Sequence, residues 1–177
     1  LLASDTSTAR LRRTLSAAGY RVSGWGLGRN RGVTADTLDR LHVEVVALGG
    51  DAPITLIGWS LGGLIAREYA KLHPDRVARV ITLGSPFSGH PRANNAWRVY
   101  EMVAGHSVEQ PPVAVTLGEK PSVPTVACWS ARDGVVAPAS ARGQMGERDH
   151  AHEFDCTHMG FVATPRSIRA LGALLQG

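Results

Sequence analysis

One serine stands at the junction of an apolar run and a helical pattern, and this junction constrains the fold more than any other feature. The segment Gly58-Trp59-Ser60-Leu61-Gly62 follows the apolar run 54–57 and leads into the helical pattern that begins at Leu61. A strand that passes straight into a helix strains the backbone at the turn residue, and small neighbours relieve the crowding. We therefore expect a side chain at Gly58 or Gly62 to collide with neighbouring backbone. Such a turn lifts the Ser60 hydroxyl clear of the sheet edge.

Strands and helices alternate along the rest of the chain, which is typical of a parallel sheet covered on both faces. Periodicity and flanking breakers predict helices over 5–18, 38–48, 61–72 and 165–176. Short apolar runs predict strands over 20–24, 53–58, 77–83, 125–130 and 151–155. The expected fold class is α/β, with a mostly parallel sheet flanked by helices in one domain over 1–177.

The stretch 85–122 breaks this alternation. It holds five prolines around a modest helical pattern at 95–103. Irregular insertions at the carboxyl edge of a parallel sheet commonly form the wall of a pocket. We expect this insertion to form a pocket wall or lid, and the alternative is a long surface loop without ligand contact.

Composition excludes several classes of protein. No apolar run approaches the roughly 20 residues that a membrane-spanning helix needs. The net charge of +4 comes from scattered basic residues rather than from a run, which argues against a nucleic-acid partner. The two cysteines, Cys128 and Cys156, either form one bridge or remain buried thiols, and we favour thiols.

A serine hydroxyl becomes an effective nucleophile when a histidine, oriented by a carboxylate, takes its proton. After a strand–serine–helix turn the expected order along the chain is serine, acid, histidine. Asp133 lies in a loop just past the predicted strand 125–130, and His158 lies between the last predicted strand and the closing helix. We therefore predict Ser60, Asp133 and His158 as nucleophile, acid and base.

Two cofactor interpretations are weaker. The side chains of His150, His152, Cys156 and His158 would share one face of an extended strand and could ligate zinc, but no HExxH or paired CxxC motif accompanies them. The segment 24–28 has G-x-G-x-G spacing rather than the dinucleotide-binding G-x-G-x-x-G, so a flexible loop beside the pocket is favoured. We expect neither a metal nor another cofactor.

The motifs together resemble those of the α/β-hydrolases of the esterase/lipase group. The resemblance rests on the elbow segment 58–63 and on three later segments: Val80-Ile81-Thr82-Leu83-Gly84-Ser85-Pro86-Phe87, Asp133-Gly134-Val135-Val136 and Thr157-His158-Met159-Gly160. It implies the same three catalytic residues and adds the backbone N–H of Leu61 as one donor of an oxyanion hole.

The N-terminus departs from the family pattern. The resemblance implies a second oxyanion donor just after a strand, and this chain begins at Leu1-Leu2, apparently just past that strand. The absent strand would lie between segment 20–24 and strand 53–58. We therefore expect an N-terminally truncated α/β-hydrolase in which Leu1 or Leu2 supplies the second donor.

The function implied is hydrolysis of a carboxylic ester through an acyl-enzyme. The expected substrate is a small ester, with lipid-like acyl chains mildly favoured. An acyltransferase or a thioesterase could use the same three residues, and a hydrolase-like binding module with an unreactive serine is a further alternative.

Overall fold

The computed structural model describes residues 5–28, 35–89 and 117–176. Within these ranges four strands form one sheet in the order β1-β2-β3-β4, and each neighbouring pair is parallel. The strands are β1 (Ile54–Trp59), β2 (Val77–Leu83), β3 (Thr125–Trp129) and β4 (His150–Glu153). The α/β class with a parallel sheet is confirmed, and β4 begins and ends earlier than the predicted strand 151–155.

The helices of the described ranges are α1 (Ala9–Ala17), α2 (Ala35–Gly49), α3 (Leu61–Leu72), α4 (Pro138–Arg142), α5 (Gly160–Ala163) and α6 (Pro165–Gln176). The four predicted helices are therefore confirmed. The first differs at its start, because Asp5–Thr8 forms a 3-10 turn ahead of α1. Helix α3 ends at the predicted His73-Pro74 step, since a proline cannot continue the hydrogen-bond ladder.

The central strands β2 and β3 are largely buried on both faces, which explains their continuous apolar runs. Val80 and Ala127 pack into a core with helices α2 and α3, whereas their neighbours Ile81 and Cys128 pack into a second core with α1, α5 and α6. Side chains alternate between faces along a strand. A single apolar run in β2 or β3 therefore serves both cores.

The register brings the carboxyl ends of the strands to one edge of the sheet. Trp59 lies opposite Leu83, Leu83 opposite Cys128, and Trp129 opposite Glu153. The loops that follow the strands consequently meet at this edge, which we call the carboxyl edge. Ser60 follows β1 there, and Asp133 comes from the loop after β3.

The predicted strand at 20–24 is wrong, because this segment does not form a strand and pairs with no described strand. Between it and the free edge of β1 lies a cavity of about 440 Å³, lined by both segments and by residues of α1 and α2. An extended segment without a neighbour at ladder distance cannot form strand hydrogen bonds. The resemblance described above implies a further strand at this position.

Several predictions fall outside the described residues. They are Leu1, Leu2, the helical piece at 95–103 and most of the insertion. Within the described ranges, no helix combines the length and apolar character required to cross a lipid bilayer.

Candidate active site

Ser60 occupies a strained turn between β1 and α3. Its φ of 54° and ψ of −126° make it the one residue other than glycine with a positive φ in the described ranges. Its N–H donates to the Leu83 carbonyl at 2.9 Å, and its own carbonyl accepts from the Gly63 N–H at 3.1 Å. These bonds hold a conformation that costs about 1–3 kcal/mol and that is concentrated at functional sites.

The glycines around this turn are not equivalent. A Cβ added at Gly58 would lie 2.5 Å from the Gly62 carbonyl oxygen and would also overlap Gly63, as expected. The same expectation is wrong for Gly62, because a Cβ there meets no atom from elsewhere in the described part of the chain within 4 Å. The second crowded position is Gly63, where a Cβ would overlap the Ser85 side chain. Gly62 instead lines the cavity beside β1, which explains its free space.

Asp133 and His158 form a buried hydrogen-bonded pair. The His158 Nδ1 lies 2.8 Å from the Asp133 Oδ2, and the two residues are 5% and 4% exposed. The His158 backbone N–H also donates to the Asp133 carbonyl at 3.0 Å. The loop after β3 and the loop before α5 are thus joined at both backbone and side chain.

The second carboxylate oxygen of Asp133 is held by its own loop. Its Oδ1 accepts from the N–H groups of Val135 at 2.9 Å and Val136 at 2.7 Å. Gly134 adopts a φ of 74°, which a glycine tolerates and which closes the turn around the carboxylate. The Asp-Gly step therefore forms a turn and orients the acid at the same time.

The surroundings keep Asp133 ionised near neutral pH. Burial acts to raise the pKa of Asp133, but hydrogen bonds from His158, Val136 and Val135 outweigh it, so the pKa lies below its usual value. An ionised carboxylate only accepts hydrogen bonds, so the Nδ1 of His158 must be the donor. With a proton on Nδ1, it is the Nε2 of His158 that can take up a further proton from a nucleophile.

Trp59 connects the serine turn to this pair. Its indole Nε1 donates to the His158 carbonyl at 3.0 Å, and the two rings lie 5.3 Å apart. The structure therefore brings His158 and Asp133 together and places His158 against the residue that precedes Ser60. The sequence did not indicate a role for Trp59, since the variable position of a G-x-S-x-G motif carries no signal of its own.

Gly84 is a second position that sequence reasoning left without a role. It follows β2 with a φ of 54°, and a Cβ there would lie 2.7 Å from the Asp133 Oδ2. The absence of a side chain lets the carboxylate approach the end of β2. A glycine directly after a predicted strand was the available signal.

Of the three predicted oxyanion donors, Leu61 is the one that lies within the described residues. Leu61 is the first residue of α3, and the first N–H groups of a helix have no partner within it. They also lie at the positive end of the helix dipole, where an anion is stabilised. Leu1 and Leu2 lie outside the described residues.

The zinc interpretation loses its geometric basis. Strand β4 ends at Glu153, so Cys156 and His158 do not continue its alternation, and His150 and His152 are exposed. In the described ranges no group of three or more histidine, cysteine or acidic residues is placed to hold a metal ion. Cys128 and Cys156 are both free and buried, which confirms the thiol prediction.

The glycine-rich segment 24–28 is hydrogen-bonded to the side chain of Asp5. The carboxylate of Asp5 accepts from the N–H groups of Trp25 at 3.0 Å and Gly26 at 3.2 Å. Gly24 and Trp25 line the cavity beside β1, and the expected place of this loop beside the substrate pocket stays a prediction. Its expected flexibility stays a prediction, while Asp5 provides a specific anchor.

Comparison with known proteins defines the class. The family model of the alpha/beta hydrolase fold matches residues 3–104, more than half of the chain. The chain belongs to the α/β-hydrolase family.

The match to an individual curated relative covers a shorter part of the chain than the family model does. The chain is 43% identical over 60 residues to the pimeloyl-[acyl-carrier protein] methyl ester esterase of Salmonella heidelberg (strain SL476), covering 34% of this chain and 23% of that protein. The match thus spans about a quarter of the length of this curated relative.

Solved structures show the same fold over nearly the whole chain. A monoacylglycerol lipase of Paleococcus ferrophilus superposes with a TM-score of 0.65 and 16% identity, covering 99% of this chain and 90% of the lipase. A thioesterase domain from the curacin biosynthetic pathway superposes with a TM-score of 0.64 and 16% identity, covering 100% of this chain and 88% of that domain. At these identities the likeness shows the fold.

Proposed function

We propose that the protein is a serine hydrolase that cleaves carboxylic esters through an acyl-enzyme. Ser60 is the nucleophile, His158 the general base and acid, and Asp133 the carboxylate that orients His158. The observation that carries this proposal is the buried 2.8 Å contact between His158 and Asp133, beside a serine turn whose Trp59 contacts His158.

The tautomer of His158 supports a specific order of proton transfers. The Ser60 Oγ attacks the ester carbonyl carbon while its proton passes to the His158 Nε2. The tetrahedral intermediate then collapses, the C–O bond to the alcohol breaks, and the proton on His158 passes to the leaving alkoxide. Water next attacks the acyl-enzyme by the same route and releases the acid and the free serine.

The oxyanion of each tetrahedral intermediate needs hydrogen-bond donors. The Leu61 N–H at the start of α3 is the first, and we propose the backbone N–H of Leu1 or Leu2 as the second. Removal of one such donor typically lowers kcat by about 10²–10³. The rate is therefore expected to depend on how the chain around Leu1 and Leu2 is arranged.

The proposed substrate is a small ester, with lipid-like acyl chains mildly favoured by the apolar insertion 85–122, which we propose as the pocket wall. A relative named as a methyl ester esterase supports an ester over an amide. A thioester or an acyl acceptor other than water would use the same three residues, so a substrate panel has to include them.

A fluorophosphonate probe tests the nucleophile in the full-length protein. We expect labelling of the wild type, loss of labelling in Ser60→Ala, and retained labelling in the matched control Ser85→Ala. Ser85 also lies at the carboxyl edge, where it is buried and its hydroxyl donates to the Gly58 carbonyl at 3.4 Å. Labelling that persists in Ser60→Ala would overturn the assignment.

A panel of p-nitrophenyl esters and matching thioesters of increasing chain length tests the reaction. We expect turnover of the esters, with a rate that depends on acyl length. Labelling without turnover of any ester would contradict ester hydrolysis and favour a thioesterase or an acyltransferase, whereas the absence of both labelling and turnover would favour a binding module.

A further inference from the structure

Ser130 lies where strand β3 ends and the loop that carries Asp133 begins. It is 1% exposed, so its hydroxyl has to find hydrogen-bond partners inside the protein. The pairing of β3 with β4 runs out just before it, where the Phe154 N–H donates to the Trp129 carbonyl at 2.8 Å. Beyond this bond, strand pairing no longer fixes the separation of the two chain segments.

The side chain of Ser130 continues the connection between them. Its Oγ donates to the Cys156 carbonyl at 2.6 Å and accepts from the Cys156 N–H at 3.4 Å. The same Oγ accepts from the Arg132 N–H at 3.1 Å, within its own loop. A hydroxyl has one proton to donate and two lone pairs that accept, so these bonds use its whole capacity. One buried oxygen atom therefore joins the loop after β3 to the loop before α5.

These two loops carry the acid and the base of the proposed active site. Arg132 directly precedes Asp133, and Cys156 lies two residues before His158. The Ser130 carbonyl also accepts from the Asp133 N–H at 3.3 Å, so both the backbone and the side chain of Ser130 hold the turn of the acid. The connection made by Ser130 thus stands immediately before the contacts of Asp133 with His158 on both loops.

We propose that Ser130 is a positioning residue whose buried hydroxyl sets the separation of the two loops and thereby the hydrogen bond between Asp133 and His158. The catalytic consequence of this inference rests on the proposed function. Catalytic groups have to be held within about 0.5 Å of their productive geometry, and a hydrogen bond weakens as its distance and angle depart from the optimum. Ser130 acts through Asp133 and His158, so its loss should slow the chemical step and leave substrate binding largely unchanged.

The Ser130 variants separate the hydroxyl from the space that it fills. Ser130→Ala removes the hydroxyl, and Ser130→Thr keeps one on the same carbon as the conservative rescue. Ser130→Cys fills nearly the same space with a much weaker hydrogen-bonding group. It is interpreted in the same way as Ser130→Ala if that variant does not fold.

A matched control exists at the other end of β3. The Thr125 hydroxyl is also buried, and it donates to the Asp149 carboxylate and accepts from the Asp149 N–H, both at 3.2 Å. It thus joins β3 to the residue before β4, far along the strand from the acid. Thr125→Val removes this buried hydroxyl and leaves the loops of Asp133 and His158 untouched.

A second control joins the same two loops at the surface. The guanidinium of Arg132 lies 3.0 Å from the Asp155 carboxylate, and both side chains are exposed. Exposed ion pairs contribute little to stability. Asp155→Ala therefore shows whether the loss of any contact between these loops has the effect expected for Ser130→Ala.

Proton NMR of the full-length protein tests the positioning without any substrate. A histidine Nδ1 proton that is hydrogen-bonded to a buried carboxylate resonates far downfield, and its loss in Asp133→Asn assigns it to His158. We expect this signal in wild type, Thr125→Val and Asp155→Ala, a shifted or exchange-broadened signal in Ser130→Ala, and recovery in Ser130→Thr. An unchanged signal in folded Ser130→Ala, or equal losses in Ser130→Ala and Ser130→Thr, would overturn the role of the hydroxyl. A wild type without the signal would contradict the contact that Ser130 is proposed to set.

Fluorophosphonate labelling and ester turnover test the catalytic consequence. For Ser130→Ala we expect the rate constant of labelling and kcat for p-nitrophenyl esters to fall about fivefold or more, with KM within about twofold of wild type. The final extent of labelling should equal that of wild type, and both controls should keep the wild-type rate constant within about twofold. A lower final extent with an unchanged rate constant would assign Ser130 a merely structural role. A wild-type protein that does not react with the probe would refute the proposed function, while the NMR result would still decide whether Ser130 positions the Asp133–His158 pair.

Discussion

The indole N–H of Trp59 donates to the backbone carbonyl of His158 at 3.0 Å, joining residues that are 99 positions apart. The rings also contact each other at 5.3 Å between centroids. Trp59 precedes Ser60 directly, so its position and that of the serine are set by the same turn. The contact couples the proposed nucleophile to the loop that carries the proposed base.

Trp59→Phe should weaken this coupling while keeping an aromatic ring. We expect kcat/KM for a p-nitrophenyl ester to fall about 2–10-fold, the loss typical of one hydrogen bond. The matched control is Trp129→Phe, because Trp129 lies on β3 and contacts Arg142 rather than His158. Equal activity of Trp59→Phe and wild type would show that the bond does not position His158.

Asp133→Asn should abolish most of the activity. An amide in place of the carboxylate can favour the wrong tautomer of His158, and the corresponding change in serine hydrolases lowers kcat about 10⁴-fold. The control is Asp149→Asn, since Asp149 accepts from the Thr125 N–H at 2.8 Å but lies at the opposite end of β3. We expect it to retain activity, and comparable losses in both variants would contradict a specific role for Asp133.

The pH dependence of stability should carry the signature of Asp133. Its pKa is lower in the folded protein than the usual value of about 3.9 expected when unfolded. The ionised group therefore contributes stability that is fully present above that value and is lost as the pH falls through the lower folded pKa. Urea unfolding of wild type between pH 6 and pH 3 should show a decline that is shallower in Asp133→Asn. Identical slopes would show that Asp133 is not stabilised as its hydrogen bonds indicate.

The glycines of the serine turn should respond in opposite ways to alanine. Gly58→Ala forces a Cβ against the Gly62 carbonyl and should reduce the free energy of unfolding by about 1–3 kcal/mol. Gly62→Ala meets no such atom, and alanine is favoured over glycine in a helix by about 0.5–1 kcal/mol. Thermal or urea unfolding checks both variants, and a destabilised Gly62→Ala would contradict the geometry of the turn.

Much of the fold was predictable because its signals are local. The apolar runs of β1, β2 and β3, the breakers at His73-Pro74 and the alternation of strand and helix are each read within a few residues. The same holds for the order of Ser60, Asp133 and His158, since each follows or precedes a recognisable element. In the structure the last two are in contact, which the spacing along the chain could only anticipate.

Other features depend on neighbours that are distant in sequence. Segment 20–24 has the composition of a strand, but whether it forms one depends on a partner beside it, and a cavity lies there instead. The crowding at Gly63 arises from Ser85, and the free space at Gly62 arises from that cavity. The residues next to segment 20–24, Gly62 and Gly63 in the sequence do not indicate these contacts.

The sequence by itself determined the class of the fold and the three residues proposed for catalysis, because strand, turn and helix preferences act over short distances. Only the tertiary structure decided the contact of Trp59 with His158 and the close approach of Ser85 to Gly63. Both depend on where side chains meet after the sheet has assembled. Every residue has a backbone carbonyl that can accept a hydrogen bond, so the type of the accepting residue does not predict the contact.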